Sequence, residues 1–238
     1  VIEKIESLDK YPELFAAAFG RGPGMETIGM ALASYQRTLL AGESPFDYWN
    51  KDNDRDAISE KAARGHSLFV GKARCSTCHV AAGETPLFTD QGFHNTGIGY
   101  RSTAAGRAGR RSIPVAPGQR VQIDTTLLDS VGGRRAGDLG LYELTGNPAD
   151  RWKYRTPSLR NVAITPPYMH DGSLPTLEAV VRFYVEGGVA NEELDPLIGP
   201  LDLNEEEIAA IIAFLETLTG GNVPQLVSDA LAAPIGGG

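Results

Sequence analysis

Cys75-Ser76-Thr77-Cys78-His79 reads C-x-x-C-H. At this spacing two thiols can take the two vinyl groups of a porphyrin as thioethers, and the adjacent imidazole can reach the iron from the near face. The motif names a covalently bound c-type haem as cofactor, with His79 as its proximal ligand. It confines function to redox chemistry or small-ligand chemistry at iron. A bare C-x-x-C would also suit a thiol redox pair or half of a zinc site. The following histidine turns the balance toward haem. The chain has only these two cysteines, so nothing completes a regular zinc set or a disulfide framework.

Immediately upstream, Ile58, Ala62, Gly65 and Phe69 recur at helical spacing. They predict a helix over roughly 57–71 that delivers the chain into Cys75 and gives the attachment loop a rigid base. Further back, residues 10–20 read as a short helix ended by Gly20. Ile28, Ala31, Leu32, Tyr35 and Leu39 mark a longer helix after the break at Arg21–Gly24. Phe46, Tyr48 and Trp49 follow the Ser44-Pro45 turn as packing anchors. Downstream, the pattern weakens from 80 to 157, where Gly, Pro and Arg are frequent. We read that stretch as extended loops around the cofactor.

Two helices then close the sequence pattern. Thr176 is an N-cap candidate for a helix whose inner stripe is Leu177, Val180, Val181 and Tyr184, ended by Gly187-Gly188. Asn204 with Glu207 forms a capping box for the last clear helix, and Leu203 with Ile208 has the spacing of a hydrophobic staple. Ile211, Ile212, Leu215 and Leu218 supply its buried face. The length suits one sizeable core with a small appendage, and the sequence ends in a Gly/Pro/Ala-rich tail (221–238).

The second axial ligand stays open on these grounds. His66, His94, His170, Met25, Met30, Met169 and several tyrosines are all candidates. Tyr184 continues an apolar stripe, so packing alone accounts for it. His94 and His170 sit in loops and divide between cofactor shell and ordinary hydrogen bonding. Arg155 and Arg160 flank Thr156-Pro157-Ser158-Leu159 and suit the anionic haem propionates, or else simply face solvent. Trp152 and Tyr154 would pack on the porphyrin edge or fill the core.

Composition excludes other classes. The 238 residues carry 22 basic and 30 acidic side chains, a formal charge of -8, which does not suit a nucleic-acid binder. No stretch approaches the roughly 18 continuous apolar residues of a membrane span. The chain opens on Val1-Ile2-Glu3-Lys4 without a signal peptide and reads as a mature or excised piece. Covalent haem attachment in bacteria is tied to export, so a periplasmic location is expected.

The whole pattern resembles the bacterial dihaem cytochrome c peroxidase family, including its MauG-like branch. The matching pieces are Ser44-Pro45-Phe46-Asp47, Gly65-His66-Ser67-Leu68-Phe69, Cys75 to His79, Phe88-Thr89-Asp90 and Phe93-His94-Asn95-Thr96-Gly97. Later come Thr156-Pro157-Ser158-Leu159-Arg160-Asn161, Pro167-Tyr168-Met169-His170-Asp171-Gly172 and Thr176-Leu177-Glu178. Together they cover about residues 10–220 and are similar to the C-terminal haem domain of such enzymes. The resemblance implies a mainly α, cytochrome c-like haem domain with long cofactor-wrapping loops (51–220), with connecting helices (1–50) packed on it. It also implies an oxidoreductase that relays or stores oxidising equivalents generated from hydrogen peroxide at a second haem. That haem would sit in another domain or subunit, and a redox protein would be a further partner. Catalytic residues for the peroxide step are not identifiable in this chain.

For the iron, the resemblance points to Tyr184 as the ligand opposite His79, as in the MauG-like branch, where classical peroxidases use methionine. Met169 matches a residue near the pocket. The family also places a calcium ion between its haem domains, which here would take the backbone carbonyls of Thr165 and Pro167. Ala73 stands where the MauG-like branch has a surface tryptophan, which speaks against the same hopping route to a protein substrate. A single-haem electron-transfer cytochrome, or a partner subunit without independent catalysis, is the alternative.

Overall fold

A computed structural model describes residues 1–102, 110–116, 119–124 and 138–232. By internal contacts the chain divides into two units, Pro45–Thr219 and Val1–Ser44 with Gly220–Gly238. The helices are α1 (Ile2–Glu6), α2 (Tyr11–Phe19), α3 (Met25–Thr38), α4 (Pro45–Asn50), α5 (Glu60–Val70), α6 (Ile98–Ser102), α7 (Tyr142–Thr145), α8 (Leu177–Val185), α9 (Glu205–Glu216) and α10 (Val223–Ala232). Strands are few and short. β1 (Phe93–His94) pairs antiparallel with β4 (Tyr154–Arg155), and β2 (Arg110–Ala116) with β3 (Gln119–Asp124). No helix among the described residues is long and apolar enough to cross a membrane.

In the larger unit, α5 and α9 pack against each other around a core of Phe46, Phe69, Phe88, Ile208, Ile211, Phe214, Leu215 and Leu218. The aromatic rings meet edge to face, as their quadrupoles prefer: Phe69–Phe214 at 5.1 Å and Phe46–Phe88 at 5.3 Å between centroids. Gly65 permits the close approach of the two helices, because a Cβ there would overlap the Ala210 carbonyl. Gly65→Ala gains about 1 kcal/mol of helix propensity. The obstruction is backbone and cannot swing away, so overpacking wins. We expect a net destabilisation of about 2 kcal/mol in urea unfolding; unchanged stability would show that the helices do not meet at this residue.

The capping signals hold. The Ser59 side chain accepts from the Ala62 amide and starts α5 one turn inside the expected boundary. The Thr176 hydroxyl accepts from the Ala179 amide at α8. Asn204 and Glu207 cap each other's backbone N–H groups at α9 (2.9 and 3.0 Å), and Lys72 pairs with Glu207 at 2.8 Å. Gly187 and Gly188 both take positive φ after α8, and a Cβ on Gly187 would lie 2.7 Å from the Pro200 nitrogen.

Three expectations change. Residues 80–157 include the β2–β3 pair as well as loops; 103–109, 117–118 and 125–137 of that stretch lie outside the described residues. The C-terminal stretch is helical over Val223–Ala232, because its Ala, Leu, Val and Gln outweigh Pro224 at the first turn, where proline is tolerated. Residues 233–238 lie outside the described residues. In the smaller unit the apolar stripe of α3 forms a helix as expected, but Leu32 and Tyr35 are at least half exposed. Periodicity identifies a helix face; it does not supply a surface to cover it. That unit is fastened by Asn222, which accepts from the Gly42 amide (3.1 Å) and donates to the Leu40 carbonyl (2.8 Å).

Candidate haem site

The motif follows α5 through a tight turn. Arg74 adopts positive φ, Cys75–Thr77 forms one turn of 3-10 helix, and the His79 amide donates to the Cys75 carbonyl at 3.0 Å. This places Cys75, Cys78 and His79 together on the wall of a cavity of about 450 Å³. The opposite walls come from α8 (Leu177, Val180, Val181, Tyr184), from α9 (Ile211, Leu215) and from the loop between them (Leu197, Leu201, Leu203). The volume lies in the range of cofactor pockets, and its lining is mainly apolar.

Each polar group on the wall has a distinct electrostatic state. The His79 Nδ1–H donates to the Phe88 carbonyl at 2.9 Å, which leaves Nε2 as the nitrogen with the lone pair. Burial pushes the His79 imidazolium toward deprotonation, against the opposing pull of the Phe88 carbonyl and Asp90. A neutral imidazole oriented by a backbone carbonyl is the form that binds a metal. Burial also pushes the Cys75 thiol up to about 12 and raises that of Cys78. Protonated thiols are poor redox nucleophiles and poor zinc ligands.

Tyr184 carries the fit test for the cofactor. Its hydroxyl faces the cavity and has no hydrogen-bond partner among the described residues. Burial pushes the phenol's pKa further above neutrality, and the two cysteine sulfurs add to the effect. The phenol opens to the cavity rather than being sealed in the core, so a ligand seated there can complete it. A cationic metal would do so by converting it to phenolate. Paired thiols, a neutral imidazole, apolar walls and an orphan phenol all fit an iron porphyrin.

The other expected residues divide. Arg155 lines the cavity from β4 and donates to Gln91. Arg74, which the sequence reading passed over, lines it too; its place beside the first motif cysteine was the available signal. Arg160 does not line the cavity. Its guanidinium is held by both carboxylate oxygens of Asp47 at 2.7 and 2.8 Å and donates through Nε to the Pro86 carbonyl at 2.9 Å. So engaged, Arg160 neither reaches the cavity to meet a haem propionate nor faces solvent; among the described residues Arg74 and Arg155 are the cationic side chains on the wall. His170 lines the cavity, stacked on Tyr154 at 3.5 Å, and burial disfavours its charged form. Trp152 packs instead against Tyr100 at 5.0 Å.

Of the remaining axial candidates, His66 is enclosed by Phe46, Trp49 and Phe214, and Met25 and Met30 are exposed in the smaller unit. Met169, Thr165 and Pro167 are on the cavity wall.

His94 is on the wall but has both nitrogens engaged. Nδ1 binds Asp195 at 2.7 Å and Nε2 binds Asp90 at 2.9 Å. Cys78, Asp90 and His94 lie within 4.8 Å of one another, but a protonated thiol and a doubly bonded imidazole do not make a metal site. Burial opposes the charged imidazole; the bonds to Asp195 and Asp90 outweigh it and hold His94 above its ordinary value. Burial likewise opposes the Asp90 carboxylate, and the bonds from His94 and the Gly92 amide overcome it and hold Asp90 low. His94 thus contributes stability that is complete below about pH 6.5 and fades as pH rises through its elevated folded value. Asp90 contributes above about pH 4 and fades as pH falls through its depressed one. Replacing His94 with glutamine should cost about 2 kcal/mol near pH 5.5 and progressively less toward pH 9, read by urea unfolding. A difference independent of pH would contradict the charged clamp.

Comparison with known proteins gives the family. A sequence profile described as di-haem cytochrome c peroxidase matches residues 1–55. The methylamine utilization protein MauG of Methylorubrum extorquens is 36% identical over 220 residues, 92% of this chain and 52% of that protein. The cytochrome-c peroxidase IdrP1 of Denitromonas iodatirespirans is 38% identical over 224 residues, 91% of this chain and 56% of that protein. This chain belongs to the dihaem cytochrome c peroxidase family. Among solved structures of that kind, a MauG-like protein associated with microbial copper homeostasis aligns with a TM-score of 0.60 at 32% identity, covering 87% of this chain and 61% of that one. The fold is the mainly helical, cytochrome c-like fold of MauG-like dihaem peroxidases, and haem c is the family's cofactor. The chain spans about half the length of the curated relatives it matches.

Proposed function

We propose that this chain is the haem c domain of a dihaem peroxidase-like oxidoreductase, relaying or storing oxidising equivalents that hydrogen peroxide generates at a second haem. That haem would be supplied by another domain or subunit, and a redox protein would exchange electrons with the assembly. The observation that carries the reading is the one cavity lined by Cys75, Cys78, His79 and the phenol of Tyr184. Cys75 and Cys78 would fasten the porphyrin, and His79 and Tyr184 would hold the iron.

When bound, the haem supplies a one-electron centre; the residues around it decide its character. His79 is kept neutral and directed by Phe88. Tyr184, as a hard anionic oxygen donor, would favour the ferric state. Met169 would instead favour ferrous iron. Tyr184 is preferred because its hydroxyl has no hydrogen-bond partner among the described residues and α8 presents it to the cavity beside Leu177, Val180 and Val181. Arg74 and Arg155 would receive the propionates, and His94 and His170 shape the surroundings. The apolar walls exclude water. A domain with both axial positions filled would have no open position for peroxide, which is why the peroxide step is assigned elsewhere.

The same reading includes a periplasmic location and an interdomain calcium ion. The Thr165 and Pro167 carbonyls accept no hydrogen bond among the described residues and suit a hard cation. Two oxygens are far short of the six to eight that calcium takes, so the remainder must come from outside this pair.

An optical spectrum during peroxide titration tests the proposal. The matured chain alone should be low-spin and inert to peroxide, and should become oxidised by peroxide only with its companion haem domain present. A high-spin, peroxide-reactive chain on its own would overturn it.

A further inference from the structure

The His79 hydrogen bond depends on where the Phe88 carbonyl points, and that is set by an arrangement behind the haem cavity. Phe88 has φ of 54°, the left-handed region that a bulky aromatic residue rarely adopts. Such a conformation costs on the order of 1–2 kcal/mol and persists only where its surroundings fix it. The surroundings are specific. The Phe88 ring is completely buried, and the Arg160 guanidinium lies over it at 5.5 Å and over Phe46 at 5.9 Å. Arg160 holds the Pro86 carbonyl, the Ser158 hydroxyl donates to the Leu87 carbonyl at 2.6 Å, and the Thr89 hydroxyl donates to the Thr156 carbonyl at 2.7 Å. Residues on both sides of Phe88 are thereby tied to 156–160, while its own carbonyl is turned to His79. Asp47 in turn holds Arg160, with both side chains about nine-tenths buried.

We infer that the Asp47–Arg160 ion pair is a positioning pair for the haem: by fixing Phe88 in its left-handed conformation, it sets the hydrogen bond that governs how strongly His79 donates to iron. The inference rests on the reading of His79 as an axial ligand. A strong Nδ1–H bond to a carbonyl gives the imidazole more anionic character and favours ferric iron. Loss of the clamp would let Phe88 relax and its carbonyl turn away. The ring nitrogen would lose its partner, and the ferric state would lose some of its preference.

The test compares holoproteins carrying Arg160→Met, Arg160→Lys and Asp47→Asn with the native protein. The midpoint potential should shift positive in Arg160→Met and Asp47→Asn. The His79 Nδ1 proton, followed by NMR, should exchange faster with solvent in both. Lysine retains the charge facing Asp47 but cannot lie flat over two rings, so Arg160→Lys should fall between native and methionine. If Arg160→Met does not accumulate as folded holoprotein, Asp47→Asn decides, because it preserves side-chain volume and the Pro86 contact. Histidine-ligated haem with native potential and native proton exchange in Asp47→Asn would overturn the inference, whatever the change in stability. Native protein in which His79 is not bound to iron would instead defeat the reading beneath it.

Discussion

Cys75→Ala should leave the protein without the two-thioether haem spectrum, and the double variant Cys75→Ala/Cys78→Ala should leave it without covalent haem. The effect follows from the placement of the thiols. Both line the cavity, and Cys75 is enclosed enough that burial pushes its thiol up to about 12. Among the described residues their bonds are weak: an Sγ–H contact from Cys75 to the Ala73 carbonyl at 3.6 Å and a contact from the Thr77 hydroxyl to the Cys78 sulfur at 4.0 Å. Their place in the turn is therefore chemical rather than architectural: each thiol lines the cavity, where its S–H would add across a haem vinyl group. With one thioether the porphyrin remains tethered at a single edge, and with none it is held only by axial ligation and packing, which acid extraction removes. Haem bound per chain after denaturation should fall from one to near zero in the double variant. The apoprotein would also unfold more readily, since a ligand seated only in the folded state stabilises it. Retention of stoichiometric haem and an unaltered two-thioether spectrum in denatured Cys75→Ala would refute the attachment.

Tyr184→Phe should change the visible and electron-spin spectra strongly, opening an axial position and converting the haem from low-spin toward high-spin. The substitution removes one oxygen atom that has no hydrogen-bond partner among the described residues and stands in an apolar wall. Deleting such a group alters apoprotein stability by less than about 1 kcal/mol. A spectral change therefore could not be attributed to unfolding. Tyr184→Met goes further, replacing a hard anionic donor with a soft neutral one. The reduction potential should rise by a few tenths of the roughly 0.8 V that axial ligands command. Folded Tyr184→Phe protein with an unchanged spectrum would remove Tyr184 from the iron and direct attention to Met169.

Much of this was visible in the sequence because it is local. C-x-x-C-H specifies its chemistry within five residues. Thr176 and the Asn204–Glu207 box act within one turn of their helices, so their spacing suffices to find them. The stripe Leu177, Val180, Val181, Tyr184 was legible as a helix face, and the structure turns that face to the cavity. What escaped was long-range. Arg160 looked like a propionate partner from its neighbours in sequence, but Asp47, 113 positions away, holds it. The Asp90–His94–Asp195 clamp joins segments 101 positions apart, and no periodicity marks Asp195. The left-handed Phe88 could not be anticipated, since its conformation is imposed by burial and by Arg160 rather than by its own preference. Likewise, the apolar stripe of α3 marks a helix without revealing whether anything covers it.

The central claim is tested most directly by intact mass and thiol count of the matured chain under denaturing conditions. The account predicts one porphyrin mass per chain and no titratable sulfhydryl. Two free sulfhydryls on a chain of unmodified mass would contradict it.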